Sequence, residues 1–352
     1  MMWRPFLRSI DGLALSGAVL LALALLLAMF DAHAALTGWL AAVTFASALP
    51  LGALCLTMML RIIPGPWREE LEAPAASAML LLPPLLLAAV PMFAGLPWIY
   101  TWTGEALDGF KGVYLTPAFF ILRSLFILGG ACLLAVLLIG GRGHALAVGG
   151  LIAFVVLHGI LATDLLLSLD PYFHSSGFGL YFLSIQTLSA LCLLILMRLT
   201  TGKVERPALL GGLLLTALLL WAYLAFMQYL ITWSGNLPAG VSWYQRRASG
   251  IWKGAEYAIA VLRLAPTFLL LFPPVQRNPG WLAGLSLTVL VGSLVECAWL
   301  TLPTVPRHLT LGIVSYALAT AGLALCGLAV LRRADRYLSV LRLSPFSKAG
   351  SA

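Results

Sequence analysis

Ten runs of about twenty mostly apolar residues divide this chain, at roughly 12–30, 34–60, 77–97, 116–139, 145–169, 177–198, 207–233, 256–272, 280–301 and 308–331. Each matches the ~20 residues that a helix needs to cross a bilayer core. In that solvent only helices and closed barrels satisfy their own backbone groups. The widest gaps, 61–76, 98–115 and 234–255, are too short for a soluble domain of ~50 residues or more. The pattern predicts an all-α polytopic membrane protein, residues 1–352 forming one integral membrane domain of about ten transmembrane helices. Composition agrees, with 61% of the 352 residues hydrophobic and 10% charged, against ~25% charged in a soluble domain. The net charge of +8 does not imply a nucleic-acid partner, because the basic residues lie between apolar runs without a patch of interleaved aromatics.

The first run follows Arg4 and Arg8 and leads to Ala32-His33-Ala34, the outline of a secretory signal and its cleavage site. Its apolar stretch exceeds the ~7–15 residues usual there, so it is expected to remain as the first membrane helix. With ten spans, the N-terminus, the loops 61–76, 140–144, 198–206 and 273–279, and the C-terminus share one side. That side holds fourteen lysines and arginines, among them Arg61, Arg68, Arg142, Arg198 and Lys348; the other holds five, Lys111, Arg246, Arg247, Lys253 and Arg307. The bias predicts both termini in the cytoplasm. The basic tail, 332–352, reads as a stop-transfer flank or as a segment lying along anionic lipid headgroups.

Cys55, Cys132, Cys192, Cys297 and Cys326 fall inside apolar runs without metal or haem spacing and read as small core residues. Only His158 lies near mid-membrane, whereas a bound haem b would need two facing histidines. No covalently bound cofactor is therefore expected, and electron transfer would require a quinone or a partner subunit.

Charges inside a span are costly and by default functional. They are Arg123, Asp164, Arg263 and Glu296, with Glu256 at the mouth of the eighth span. Counted at ~1.5 Å per residue, the four lie at similar depths from the non-cytoplasmic face. Asp164 precedes Pro171 by seven residues, and Glu296 precedes Pro303 by seven. Shifting by four spans superimposes Arg123 on Arg263 and Asp164 on Glu296. This predicts two four-helix bundles, spans 2–5 and 6–9, as repeats over about 34–171 and 177–303, with two flanking helices. We expect Arg123 to pair with Asp164 and Arg263 with Glu296, since an unpaired buried charge is expensive; Glu256, seven residues from Arg263, could compete. Either the pairs belong to a proton path that His158 joins, or they only lock helices together while Arg123 snorkels. Tyr181, Gln186, Tyr223 and Gln228 add polar groups that either join helices by hydrogen bonds or hold a quinol headgroup.

Two loops carry further motifs. One reads Ser168-Leu169-Asp170-Pro171, followed by Phe178-Gly179-Leu180-Tyr181-Phe182. The other runs from Phe226 and Gln228 through Trp233, Asn236 and Pro238 to Trp243-Tyr244-Gln245-Arg246-Arg247. Trp and Tyr there serve as interface anchors, while the Asn-x-Pro turn and the arginines suggest a rigid lid facing a partner. Together with Gly65-Pro66-Trp67 and Leu71-Glu72-Ala73, these segments resemble the ActF-type membrane subunit of bacterial alternative complex III, within the NrfD-like (polysulfide-reductase membrane subunit) family. One departure is Ala239-Gly240, which stands where that family has acidic residues after the turn.

The resemblance implies a multi-pass subunit of a quinol-oxidising respiratory complex in a bacterial inner membrane. Implied partners are a sister NrfD-like membrane subunit, an iron–sulfur protein, c-type cytochromes, a terminal oxidase in some assemblies, and membrane lipids. Quinone or quinol is the implied small molecule, with the better-supported quinol site on the sister subunit. This type is expected to offer a proton path or scaffolding rather than catalysis. A secondary transporter is the alternative from another class, although Pro83-Pro84 and Pro266 would break their helices at unmatched depths. An assembly scaffold for an oxidase is a third.

Overall fold

Asp31 starts the central helix: its carboxylate accepts a hydrogen bond from the Ala34 amide at 3.0 Å, satisfying a donor that a helix N-terminus leaves unpaired. The helix it caps, Ala32–Ile62, runs 31 residues. A computed structural model describes residues 12–106, 108–141, 143–170, 173–235 and 238–343. Among these residues the chain is helical without strands, in the order α1 (Gly12–Leu26), α2 (Ala32–Ile62), α3 (Trp67–Met79), α4 (Leu82–Ala94), α5 (Leu96–Ile99), α6 (Gly109–Tyr114), α7 (Pro117–Ile139), α8 (His144–Leu165), α9 (Phe178–Thr200), α10 (Pro207–Gly235), α11 (Pro238–Arg247), α12 (Gly250–Leu269), α13 (Pro273–Gln276), α14 (Pro279–Thr301), α15 (Leu309–Leu331) and α16 (Ala334–Leu343).

Eight of the described helical segments are long and apolar enough to cross a membrane, and a bent pair makes a ninth candidate. That pair is α3–α4, bent by 41°, where Pro83 and Pro84 open α4 and cannot continue the hydrogen-bond ladder of α3. Its first half, α3, occupies most of the expected loop 61–76. The expected eighth span is α12, which begins at Gly250 rather than near 256. It carries Lys253, Glu256 and Arg263, which set it apart from the apolar helices.

Within 34–171, α2 packs on α4, α4 on α7, α7 on α8 and α8 back on α2. Within 177–303, α9 packs on α10, α10 on α12, α12 on α14 and α14 back on α9. The two four-helix bundles thus share one cyclic order. They meet through α2, which touches both α9 and α14, while the flanking helices α1 and α15 pack on each other and α15 on α2. Small residues permit the closest crossings: a Cβ on Gly52 would come within 2.2 Å of the Gln186 carbonyl on α9, and one on Gly38 within 2.3 Å of the Gly312 carbonyl on α15. At the opposite end from α11, buried Glu70 of α3 pairs with Arg198 at 2.6 Å and accepts from the Arg206 amide at 3.2 Å. The basic tail begins as α16, which lies against α3 and α7.

Candidate functional site

Both expected ion pairs are present. Arg123 Nε donates to Asp164 at 2.6 Å, with side-chain exposures of 10% and 1%. Arg263 Nη2 donates to Glu296 at 2.5 Å, with exposures of 0% and 1%. The surroundings of the two differ.

In the first bundle, Tyr114 at the end of α6 donates its hydroxyl to Asp164 at 3.0 Å. Its carbonyl accepts from Arg123 at 3.2 Å, and its ring lies 3.8 Å below the guanidinium. Asp164 is one residue from the end of α8 and lines a cavity of 320 Å³ together with Tyr114, Lys111, Asp170 and His174.

In the second bundle, Glu296 accepts from the Tyr181 hydroxyl at 2.5 Å and from Trp221 Nε1 at 2.9 Å. Arg263 also donates to Ser293 at 3.1 Å, which in turn accepts from Ser189 at 2.7 Å. Gly292 makes room for this arginine, since a Cβ there would sit 3.3 Å from its Nε. Glu296 lines a cavity of 200 Å³ with Tyr181, Trp221, Gln228, Trp243, Tyr244, Glu256 and Trp299. Both cavities lie at the end of the bundles that carries α6 and α11.

Glu256 is not the partner of Arg263; it is exposed at the second cavity. Gln228 is buried and accepts from Ser175 at 2.6 Å. Tyr223 is 59% exposed and stands apart from that cavity, a correction with a simple cause. Trp221, Ala225 and Gln228 follow the helical i, i+4, i+7 spacing and share one face, whereas two residues turn a helix through ~200° and send Tyr223 to the other. His158 is stacked on Phe182 at 5.6 Å with neither ring nitrogen hydrogen-bonded. Gln186 lies buried on α9, and no hydrogen bond joins His158 to Asp164. The expected relay is thus two separate places.

The motif loops close on each other. Arg246 of α11 pairs with Asp170, and the Trp243 ring stacks on Phe173 at 4.4 Å, with Tyr244 edge-on at 6.4 Å. Arg247 is buried and donates to the carbonyls of Trp299 at 3.1 Å and Leu300 at 2.9 Å, near the C-terminal end of α14, where a cation is favoured. Both arginines are therefore engaged within the chain, with Arg246 about half exposed. Trp233 is 65% exposed, and Pro238 opens α11. Pro171 and Asn236 lie outside the described residues.

Sequence reasoning missed Tyr114, Trp221, Ser293, Trp299 and the capping role of Arg247. Trp221 was recoverable, seven residues before Gln228 on one face of the span. Tyr114 was not, because it lies outside the apolar run and reaches Asp164 only through the turn between α6 and α7. No protein-family model matches this chain, and no curated protein matches it.

Proposed function

We propose that this chain is an integral membrane subunit of a respiratory quinol:electron-acceptor oxidoreductase complex, not catalytic by itself, that offers a proton path or scaffold beside a quinol site. The observation that carries the reading is that each bundle buries an arginine–carboxylate pair whose carboxylate lines a cavity at the same end. Carboxylates so placed lie where a proton or water molecule entering either cavity can reach them. The loop motifs that resemble the ActF-type subunits support the choice of complex. Its partners would be a sister NrfD-like subunit, an iron–sulfur protein, c-type cytochromes and a terminal oxidase, in a bacterial inner membrane with both termini cytoplasmic.

The transporter reading gains no support, because the bend between α3 and α4 has no counterpart in α10, one continuous helix over Pro207–Gly235. Two measurements test the proposal. The chain purified from its native membrane should bring haem absorbance with it, and a chain that runs alone overturns the complex. In the assembled complex, Asp164→Asn and Glu296→Gln should lower turnover or the proton-to-electron ratio. Normal values for both remove the proton path.

A further inference from the structure

At the end of the molecule that carries α6 and α11, one side chain touches both bundles. His33, in the first turn of α2, places Nδ1 2.5 Å from the Trp98 carbonyl of α5. Its Nε2 lies 3.3 Å from the Thr304 carbonyl, in the turn Leu302–Thr304 that follows α14. A carbonyl oxygen only accepts, and a neutral imidazole carries a single N–H. A neutral ring here would aim one nitrogen lone pair at an oxygen. Imidazolium, with both nitrogens protonated, donates to the two carbonyls at once.

The charged groups around the ring suit a cation. Asp31, two residues earlier, accepts from the Ala34 amide at 3.0 Å and pairs with His308, which opens α15, at 2.8 Å. The Ala34 amide, then His308 and His33, hold the Asp31 carboxyl down, so a negative charge stands near the ring. α5 and the turn Leu302–Thr304 bring no charged side chain. Arg307 is exposed next to His308, and Glu105 lines the first cavity. Trp252 of α12 packs on the cluster of Ala34, Leu302 and Val305, and the neighbouring Lys253 lies 5.9 Å over the Tyr257 ring.

The ring also joins the segments that wall the two carboxylate sites. Just after Trp98, Tyr100 donates its hydroxyl at 3.0 Å to the carbonyl of Leu165, next to Asp164, and Trp102 lines the first cavity. Just before Thr304, α14 carries Glu296 and Trp299, which line the second.

We propose that His33 is a proton-operated latch between the two bundles. As imidazolium it ties α5 to the turn Leu302–Thr304; as neutral imidazole it keeps the nearer carbonyl, that of Trp98, and releases Thr304. Histidine changes charge between about pH 5 and 8, so the latch is closed in acid and opens as pH rises. The seam between the bundles thereby responds to the pH of the compartment at that face. The latch requires neither a respiratory complex nor a proton path.

Hydrogen–deuterium exchange of the full-length chain in lipid nanodiscs at pH 5.5 and pH 8, corrected for the intrinsic pH dependence of amide exchange, tests it. Residues 302–312 should exchange roughly tenfold faster at pH 8, the loss of one charge-assisted hydrogen bond. The far end of α2, 55–62, should show no such step. His33→Gln, which cannot titrate, should exchange fast over 302–312 at both pH values. His308→Gln removes the other titrating ring at this seam and should keep the step. If His33→Gln does not fold, the wild-type and His308→Gln chains decide. With ¹⁵N-labelled histidine rings, the His33 signal should report two protonated nitrogens at pH 5.5. Equal corrected exchange at the two pH values, a step that survives in His33→Gln or vanishes in His308→Gln, or a neutral His33 ring at pH 5.5 would each overturn the proposal.

Discussion

In the first bundle Arg123 keeps a tenth of its side chain exposed and leans on the Tyr114 ring and carbonyl. In the second, Arg263 has no exposure and lies against Glu296, Ser293 and, at 4.8 Å, the Trp221 ring. The same two charge types thus occupy corresponding helices under different constraints. Arg123 has an escape route toward the helix end, as long basic side chains near interfaces do; Arg263 has none. Matching residues by repeat therefore identifies the partners but not how strongly each depends on the other.

The largest expected effect follows from that difference. Glu296→Gln leaves a fully buried guanidinium without its counter-charge, a change of about 3–5 kcal/mol. In a thermal unfolding series in detergent, it should be the most damaging of the four substitutions. Asp164→Asn should cost less, about 1.5–3 kcal/mol, because Arg123 keeps the Tyr114 carbonyl and ring. Equal losses for the two would break the contrast between sealed and open pairs.

Outside the bundles' charged sites, Asp31→Ala removes the cap of α2 and should cost about 1 kcal/mol. The Ala34 amide, with the His308 imidazole at 2.8 Å, holds the Asp31 carboxyl below the usual carboxylate range. A depressed carboxyl stabilises the fold above about pH 4 and loses that contribution as pH falls further. The penalty of Asp31→Ala should thus shrink in acid, read by melting at pH 6 and pH 3. Arg246→Ala opens the clasp between the bundles' loops and should cost the least, under about 1 kcal/mol, since the arginine is half exposed. Its sharper readout is faster amide exchange over 238–247.

Much of this was legible one residue at a time. The spacing of apolar runs located the spans because bilayer thickness imposes their length. The repeat of Asp164-to-Pro171 in Glu296-to-Pro303 pointed to the ion pairs. The start of α12 at Gly250 escaped notice because its first turns carry Lys253 and Glu256, which read as loop. Tyr223 was grouped with Gln228 by residue type, whereas helical phase separates them. Nothing local shows that Trp243 stacks on Phe173 or that Arg247 caps α14, because these contacts join segments far apart in sequence.

What the sequence alone determined is the all-α class and the order of the apolar spans, since each depends on local apolar content and on prolines that end it. Tertiary structure decided which faces meet: that α2 lies at the centre, that Tyr114 and Trp221 complete the two carboxylate sites, and that Gln228 and Trp299 line one cavity. Helix rotation and crossing are set by close packing at positions such as Gly38 and Gly52, and that packing exists only once the partner helix is in place.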